Sequence, residues 1–349
     1  MSSSQKKRVT LQDVADDAGV SRATASLVVR GSKAIKESTH KKVIGSMEKL
    51  GYVYDRVAAS FRSQRSSTVG VIITDIENPF YPIMLSSIED IFYEQRFTVL
   101  LGMSSESLEK QERVLNTMLE HRVSGIILTP VPGTPPSIFT KLRNMNIPAL
   151  LIGREIQDLD ADYVGTDYRL GSQLAIRHLV QQGHRRIAYL GGKPPGSTAY
   201  RERVEGYCTA LRECGLEVDP ELIIPSPVNR EGGIQALKEA LELQDPPTAC
   251  LCHNDIIALG AIMGLQLQGL VAGEHMAIVG FDNIQETETV KPELTTVSIS
   301  QDRWGIEAAK LMLQRIEGFQ GNSVKIIIPP RLIVRKSSVC YRRIIHPQA

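Results

Sequence analysis

No apolar run in this 349-residue chain approaches the roughly 20 residues that a helix needs to cross a bilayer. Runs such as Val69–Ile73 and Ala149–Ile152 are only strand length. The first eight residues end in Lys6-Lys-Arg8 but no apolar stretch follows, which is not the pattern of a signal peptide. No membrane partner is expected, and a cytoplasmic location is. The five cysteines are odd in number and show no disulfide spacing. Cys250 and Cys252, with His253 beside them, lie in an apolar run that reads as a buried strand, and no second Cys/His pair completes four ligands. There is no phosphate-binding Gly-x-x-x-x-Gly-Lys-[Ser/Thr], no Gly-x-Gly-x-x-Gly after a strand, no Gly-x-Ser-x-Gly, and no metal-binding helix motif. Gly191–Gly196 contains two prolines that remove backbone donors, so it reads as a turn and not a phosphate cradle. The expectation is a protein with no metal, no cofactor and no catalytic residues.

What is present is a divided chain. Hydrophobic residues make up 42%, enough for a sizeable core. The net charge of +1 conceals an asymmetry. Residues 1–67 hold 13 Lys+Arg against 6 Asp+Glu, and the remainder holds 27 against 33. A basic head on an acidic body suits a head that meets a polyanion.

The head is patterned, unlike a solubilising tail. Thr10 and Asp13 have capping-box spacing, and Leu11, Val14, Ala15 and Ala18 share one helical face. Gly19 suits a tight turn, and Ser21 is a good N-cap for a second helix to about Val29. A third helix starts at Ser38 or Thr39 and ends near Leu50. Small Ala15 at the crossing and a glycine turn are what a helix-turn-helix needs. Its second helix would enter the major groove. Arg22 is then the best base reader, because its fork matches guanine O6 and N7. Ala23 offers a methyl contact, and Thr24, Ser26 and Arg30 are placed for phosphates or bases.

The stretch Val9–Gly31 resembles the N-terminal signature of the lac repressor (LacI/GalR) family of bacterial transcription regulators. The resemblance implies DNA contacts from Thr10, Leu11 and Ser21 as well. Two positions depart from the pattern: Ala25 stands where Val is usual, and Leu27 where many members carry a base-contacting Arg. After the third helix, Ala58, Ala59, Phe61 and Arg62 match the family's hinge helix. The resemblance makes Phe61 an apolar wedge in the minor groove, with Ala58 near the groove floor. The alternative is a linker helix whose Phe61 packs on the body.

From residue 68 strands alternate with amphipathic helices, then the pattern restarts after about residue 165. That implies two doubly wound α/β lobes, with ligand in the cleft outside the carboxyl ends of the strands. The expected divisions are a head (1–55), a hinge helix and linker (56–67) and a two-lobed body (68–345). Lobe 1 takes about 68–164 and 297–321, and lobe 2 about 165–296 and 322–345. One last strand is expected over about Lys325–Val334.

The body also resembles the family, and behind it the periplasmic sugar-binding proteins. Asp75–Tyr81, Gly183–Ile187, Arg203–Tyr207, Asn254–Gly260, Val279–Asp282 and Leu294–Val297 follow in family order. The resemblance places Arg203, Asn254 and Asp282 at effector-contacting positions. Arg203 offers a fork of donors, Asn254 a donor and an acceptor, and Asp282 two acceptor oxygens. Phe80 or Tyr81 can stack on a sugar ring. Asp75 and Asn78 lie in the same loop, where Asp75 either touches ligand or supports the loop. Asp255 is expected to cap the helix after Asn254. Ile299 stands where relatives often carry Gln, and Gly153 where some carry Asp, with Arg154 beside it. An arginine there would suit a phosphorylated sugar or an acid.

The expected function is a sequence-specific DNA-binding regulator of the repressor type, governed by a sugar, sugar-related or sugar phosphate effector. As a homodimer it would read near-palindromic double-stranded DNA. Residues Ser337–Ala349 carry no leucine heptad, which favours a dimer over a tetramer. A sugar kinase with a DNA-binding head is the rival enzyme reading, and it lacks its motifs. A ligand-binding protein without DNA function leaves the patterned basic head unexplained.

Overall fold

The computed structural model describes residues 9–29, 32, 34–53, 66–192 and 197–339, and falls into two compact units, 1–66 and 67–349. In the first unit, α1 (Leu11–Ala18), α2 (Arg22–Val29) and α3 (Glu37–Leu50) surround a small core of Val14, Ala15, Ala25, Val28 and Val43. Each boundary has a local cause. Thr10 Oγ1 accepts from the Asp13 amide at 3.3 Å while Asp13 Oδ2 accepts from the Thr10 amide at 2.7 Å, the reciprocal cap the spacing predicts. Gly19 adopts φ 65° and its N–H reaches Ala15 and Asp16 carbonyls, ending α1 and turning the chain. Ser21 Oγ then accepts from the Thr24 amide at 3.1 Å. α3 begins at Glu37, slightly before the expected start.

The second unit contains two six-stranded sheets. The first, in order β11-β5-β4-β3-β1-β2, is parallel throughout. It comprises β1 (Thr68–Ile73), β2 (Thr98–Met103), β3 (Ile126–Leu128), β4 (Ala149–Ile152), β5 (Asp162–Thr166) and β11 (Lys325–Ile328). The second, in order β12-β10-β9-β8-β6-β7, is parallel except for its antiparallel edge strand β12. It comprises β6 (Ile187–Leu190), β7 (Ile223–Ile224), β8 (Ala249–Cys252), β9 (Ala277–Asp282), β10 (Thr295–Ser298) and β12 (Arg331–Ile333). The helices are α4 (Phe80–Glu94), α5 (Leu108–Glu120), α6 (Ser137–Asn144), α7 (Tyr168–Gln181), α8 (Thr198–Glu213), α9 (Arg230–Glu242), α10 (Asp255–Leu267), α11 (Glu286–Thr289) and α12 (Gln301–Ile316). This is the two-lobed doubly wound body expected. Cys250 and Cys252 are fully buried on β8.

The lobe boundaries need correction. Residues 325–334 are not one strand of lobe 2. β11 pairs with β5 in the first sheet, and β12 pairs with β10 in the second. Pro329 and Pro330 lie between them. Proline donates no ladder hydrogen bond and fixes φ, so the strand is cut there and the chain passes between lobes. β5 stays in the first sheet to Thr166, beyond the expected 164. β10 extends the second sheet to Ser298, so the return to lobe 1 follows residue 298 and not 296. α12 then packs on α4 in lobe 1. The chain therefore crosses three times between the lobes, near residues 167, 299 and 329.

Candidate functional site

On the head, Arg22 and Ala23 are exposed in the first turn of α2, and Thr24 and Ser26 are half-buried. Ala23 and Leu27 are four residues apart, so they share one side of the helix, and both are exposed. That side offers methyl groups where a guanidinium would otherwise extend from position 27. Thr10 and Ser21 spend their hydroxyls on caps at the starts of α1 and α2, and Leu11 packs against the head core. The proposed contacts Arg30, Ala58, Phe61 and Arg62 lie outside the described residues.

On the body, a cavity of about 550 Å³ opens between the lobes at the carboxyl ends of both sheets. All seven nominated side chains line it: Asp75, Asn78, Phe80, Tyr81, Arg203, Asn254 and Asp282. Lobe 1 supplies the first four, Asp75 and Asn78 from the β1–α4 loop and Phe80 and Tyr81 from the first turn of α4. Asp75 Oδ1 accepts from the Asn78 amide at 2.9 Å, and Asn78 Oδ1 accepts from the Phe80 amide at 3.1 Å. These turns hold the loop, and Asp75 supports it through Oδ1 while also lining the cavity. Tyr81 is pinned by Thr74 Oγ1, which donates to its hydroxyl at 2.6 Å.

Lobe 2 supplies the other three. Arg203, on α8, is sandwiched between the Tyr168 and Phe281 rings at 4.2 and 4.3 Å. Its Nη2 lies 3.6 Å from Asp282 Oδ1, and both side chains are buried. Its Nε is buried with no hydrogen-bond partner among the described residues. Burial pushes the Asp282 carboxyl up to about 7, against the pull of Arg203. Asp282 itself sits at φ 117°, and Gln301 holds its carbonyl at 2.6 Å.

Asn254, not Asp255, caps α10: its Oδ1 accepts from the Ile257 amide at 3.1 Å. Asp255 points into the lobe, where it accepts from Thr296 Oγ1 at 2.5 Å and from the Ile284 amide at 2.9 Å. Its oxygens are consumed by β10 and the chain after β9, which leaves the cap to its neighbour. Burial, and then the nearby Asp282, raise its carboxyl well above the usual range.

Several lining residues escaped the reading of the sequence. Trp304, the only tryptophan in the chain, packs edge-on against Phe80, with centroids 5.3 Å apart. Tyr168, Tyr200 and His253 extend the aromatic wall. His253 Nδ1 bonds the Tyr189 hydroxyl at 2.8 Å, and burial holds the ring well below its usual pKa, so it is neutral. Arg154 does reach the cavity, but Glu106 grips it with two bonds of 3.0 and 2.7 Å. Ile299 also lines the cavity as an apolar surface. Among the described residues no group of His, Cys, Asp and Glu is arranged to hold a metal.

A site built this way can grip a polar molecule from both lobes, each of which supplies donors or acceptors and aromatic faces. Residues 10–55 match the family model described as bacterial regulatory proteins, lacI family. Residues 66–336 match that of periplasmic binding proteins and the sugar binding domain of the LacI family. Catabolite control protein A of Priestia megaterium is 34% identical over 330 residues, which cover 95% of this chain and 99% of that one. The lac repressor dimer bound to operator and an anti-inducer superposes with a TM-score of 0.84 at 27% identity, over 96% of this chain and all of that one. The complex of the transcriptional regulator CelR with cellobiose gives 0.72 at 28% identity, over 95% and 100%.

Proposed function

The chain belongs to the lacI family of bacterial regulatory proteins, and on that premise we propose that it is an effector-controlled repressor. As a dimer it binds a near-palindromic operator through its helix-turn-helix head, and a sugar or sugar-related molecule in the interlobe cavity changes that affinity. The observation that carries the reading is the convergence of Asp75, Asn78, Phe80, Tyr81, Arg203, Asn254 and Asp282, drawn from both lobes, on one cavity. A ligand that bridges two lobes binds one lobe angle better than another. Its differential affinity for the two states sets the largest change in DNA affinity it can cause.

The head reads DNA through α2. Arg22 addresses a base edge, Ala23 and Leu27 offer apolar contact, and Thr10, Leu11, Ser21, Thr24, Ser26 and Arg30 set the register. Ala58, Phe61 and Arg62 serve the minor groove at the centre of the operator. The cavity binds and does not catalyse. Asp75 is committed to a backbone amide, Asp282 faces Arg203, and the neutral His253 is held by Tyr189. A DNA-reading regulator works in the cytoplasm, and none of the described helices is long and apolar enough to cross a membrane.

Selection of bound duplexes from random DNA by the full-length protein tests this reading. The expected product is a two-fold-symmetric site with half-sites about one helical turn apart. Candidate sugars added to that complex should shift its midpoint for at least one ligand. An enriched site without symmetry, or none with or without sugars, would overturn the reading.

A further inference from the structure

The Glu106–Arg154 pair plays no part in the proposed function, yet both residues line the effector cavity. Arg154 follows β4 and Glu106 follows β2, so the pair spans the carboxyl ends of β3 and β1. Arg154 Nη1 bonds Glu106 Oε2 at 3.0 Å, and its Nη2 bonds Oε1 at 2.7 Å. This is the two-pronged geometry in which a guanidinium satisfies a carboxylate most fully. Nη1 also reaches the Pro130 carbonyl at 3.4 Å. The carboxylate is brought there by an unfavourable backbone. Ser105 and Glu106 both adopt positive φ, 48° and 57°, a region that residues with a Cβ enter at a cost. The arginine side chain is 18% exposed, so it is already withdrawn from bulk water by its partner.

Across the cavity Arg203 also faces an acid, Asp282, through a single longer contact of 3.6 Å. Among the described lining residues, each guanidinium faces an acidic side chain, and Asp75 adds a further acid, but only Arg154 is held by a two-pronged fork. We propose that the Glu106–Arg154 fork is a specificity element. It presents the effector with a guanidinium already paired, so the cleft selects uncharged polyhydroxylated ligands and rejects phosphate esters and carboxylates. The inference rests on the cavity being the effector site. It reverses what Arg154 suggests in the sequence, where an unpaired arginine would attract an anion. An anion entering beside Arg154 must displace Glu106 or sit against it, and both are unfavourable. A sugar hydroxyl instead donates to Glu106, whose side chain is half exposed, without breaking the fork.

The test uses inorganic phosphate and glucose 6-phosphate as probes, titrated calorimetrically into the full-length protein. Three forms are compared: unsubstituted, Glu106→Gln, and Glu106→Gln with Arg154→Gln. Glutamine keeps the size of Glu106 and removes its charge, so Arg154 is left free to bind an anion. The expected result is anion binding to Glu106→Gln that is roughly 10- to 100-fold tighter than to the unsubstituted protein, the worth of a charge-assisted hydrogen bond. The double variant should lose that gain. Equal anion affinity in the first two forms, including no binding to either, would overturn the proposal. So would a gain that survives loss of Arg154. Operator selection is a separate readout, so failure of the regulator reading is distinguishable from failure of the fork.

Discussion

Gly153 and Trp304 fit only as a pair. Gly153, directly after β4, adopts φ 73°, and a Cβ built on it would lie 2.9 Å from Trp304 Cζ3. Its carbonyl accepts from the Tyr168 hydroxyl at 2.9 Å, which ties lobe 1 to the start of α7 in lobe 2. An indole therefore occupies the wall of the cavity beside a position with no side chain.

Gly153→Ala should accordingly cost about 1–3 kcal/mol, from left-handed strain and the contact with the ring. Because Trp304 is the sole tryptophan, the same variant should change the intrinsic emission spectrum. Chemical denaturation followed by circular dichroism and by fluorescence reads both effects. An unchanged midpoint and spectrum would show that the ring does not need the space.

Arg22→Ala removes the exposed α2 side chain that the proposed function assigns to a guanine edge. It should weaken binding to the selected operator by about 1–3 kcal/mol per half-site and relax preference at a single base pair in each. A phosphate contact behaves differently, lowering affinity evenly across sequences and reducing the salt dependence by about one ion. Competition binding on a set of singly substituted operators separates the two. A uniform loss would move Arg22 from the base edges to the backbone.

Much of this was legible in the sequence, for physical reasons that can be named. The head signals are local: Thr10 with Asp13, Gly19 and Ser21 each act within a few residues, so spacing alone reveals them. Asp75, Asn254 and Asp282 sit at or just after strand ends, and Arg203, on α8, is legible through the family order. Other features depend on distance along the chain. Glu106 and Arg154 are 48 residues apart, and nothing in either neighbourhood indicates that they meet. Asp255 looks like a helix cap until β10 brings Thr296 to it, 41 residues away. The lobe change at residue 329 was legible after all, in Pro329-Pro330, but the apolar residues on either side read as one strand.

The exchange of roles between Asn254 and Asp255 separates two kinds of loss. Asp255→Ala leaves the Thr296 hydroxyl and the Ile284 amide buried without an acceptor, at about 1–3 kcal/mol each. Asn254→Ala should cost only about 1 kcal/mol of cap while weakening effector binding. Thermal unfolding beside ligand titration distinguishes them. A larger stability loss at residue 254 than at 255 would show the roles to be reversed.

Asp282 gives the protein a pH dependence whose sign can be worked out. Burial pushes its carboxyl from 3.8 up to about 7, although Arg203 pulls the other way. Between those values the folded state keeps a proton that the unfolded chain has released. The unfolded state then binds fewer protons, so stability falls as pH rises from about 4 to about 7 and levels off above. Asp255 is shifted in the same direction and adds to the slope. Asp282→Asn cannot titrate, so its unfolding free energy should decline less steeply across this window. The difference is at most about 1.4 kcal/mol per pH unit, the value of one proton. Denaturation curves at several pH values between 4 and 8 measure it. Parallel pH profiles for the two proteins would mean that Asp282 stays ionised throughout, with Arg203 outweighing burial.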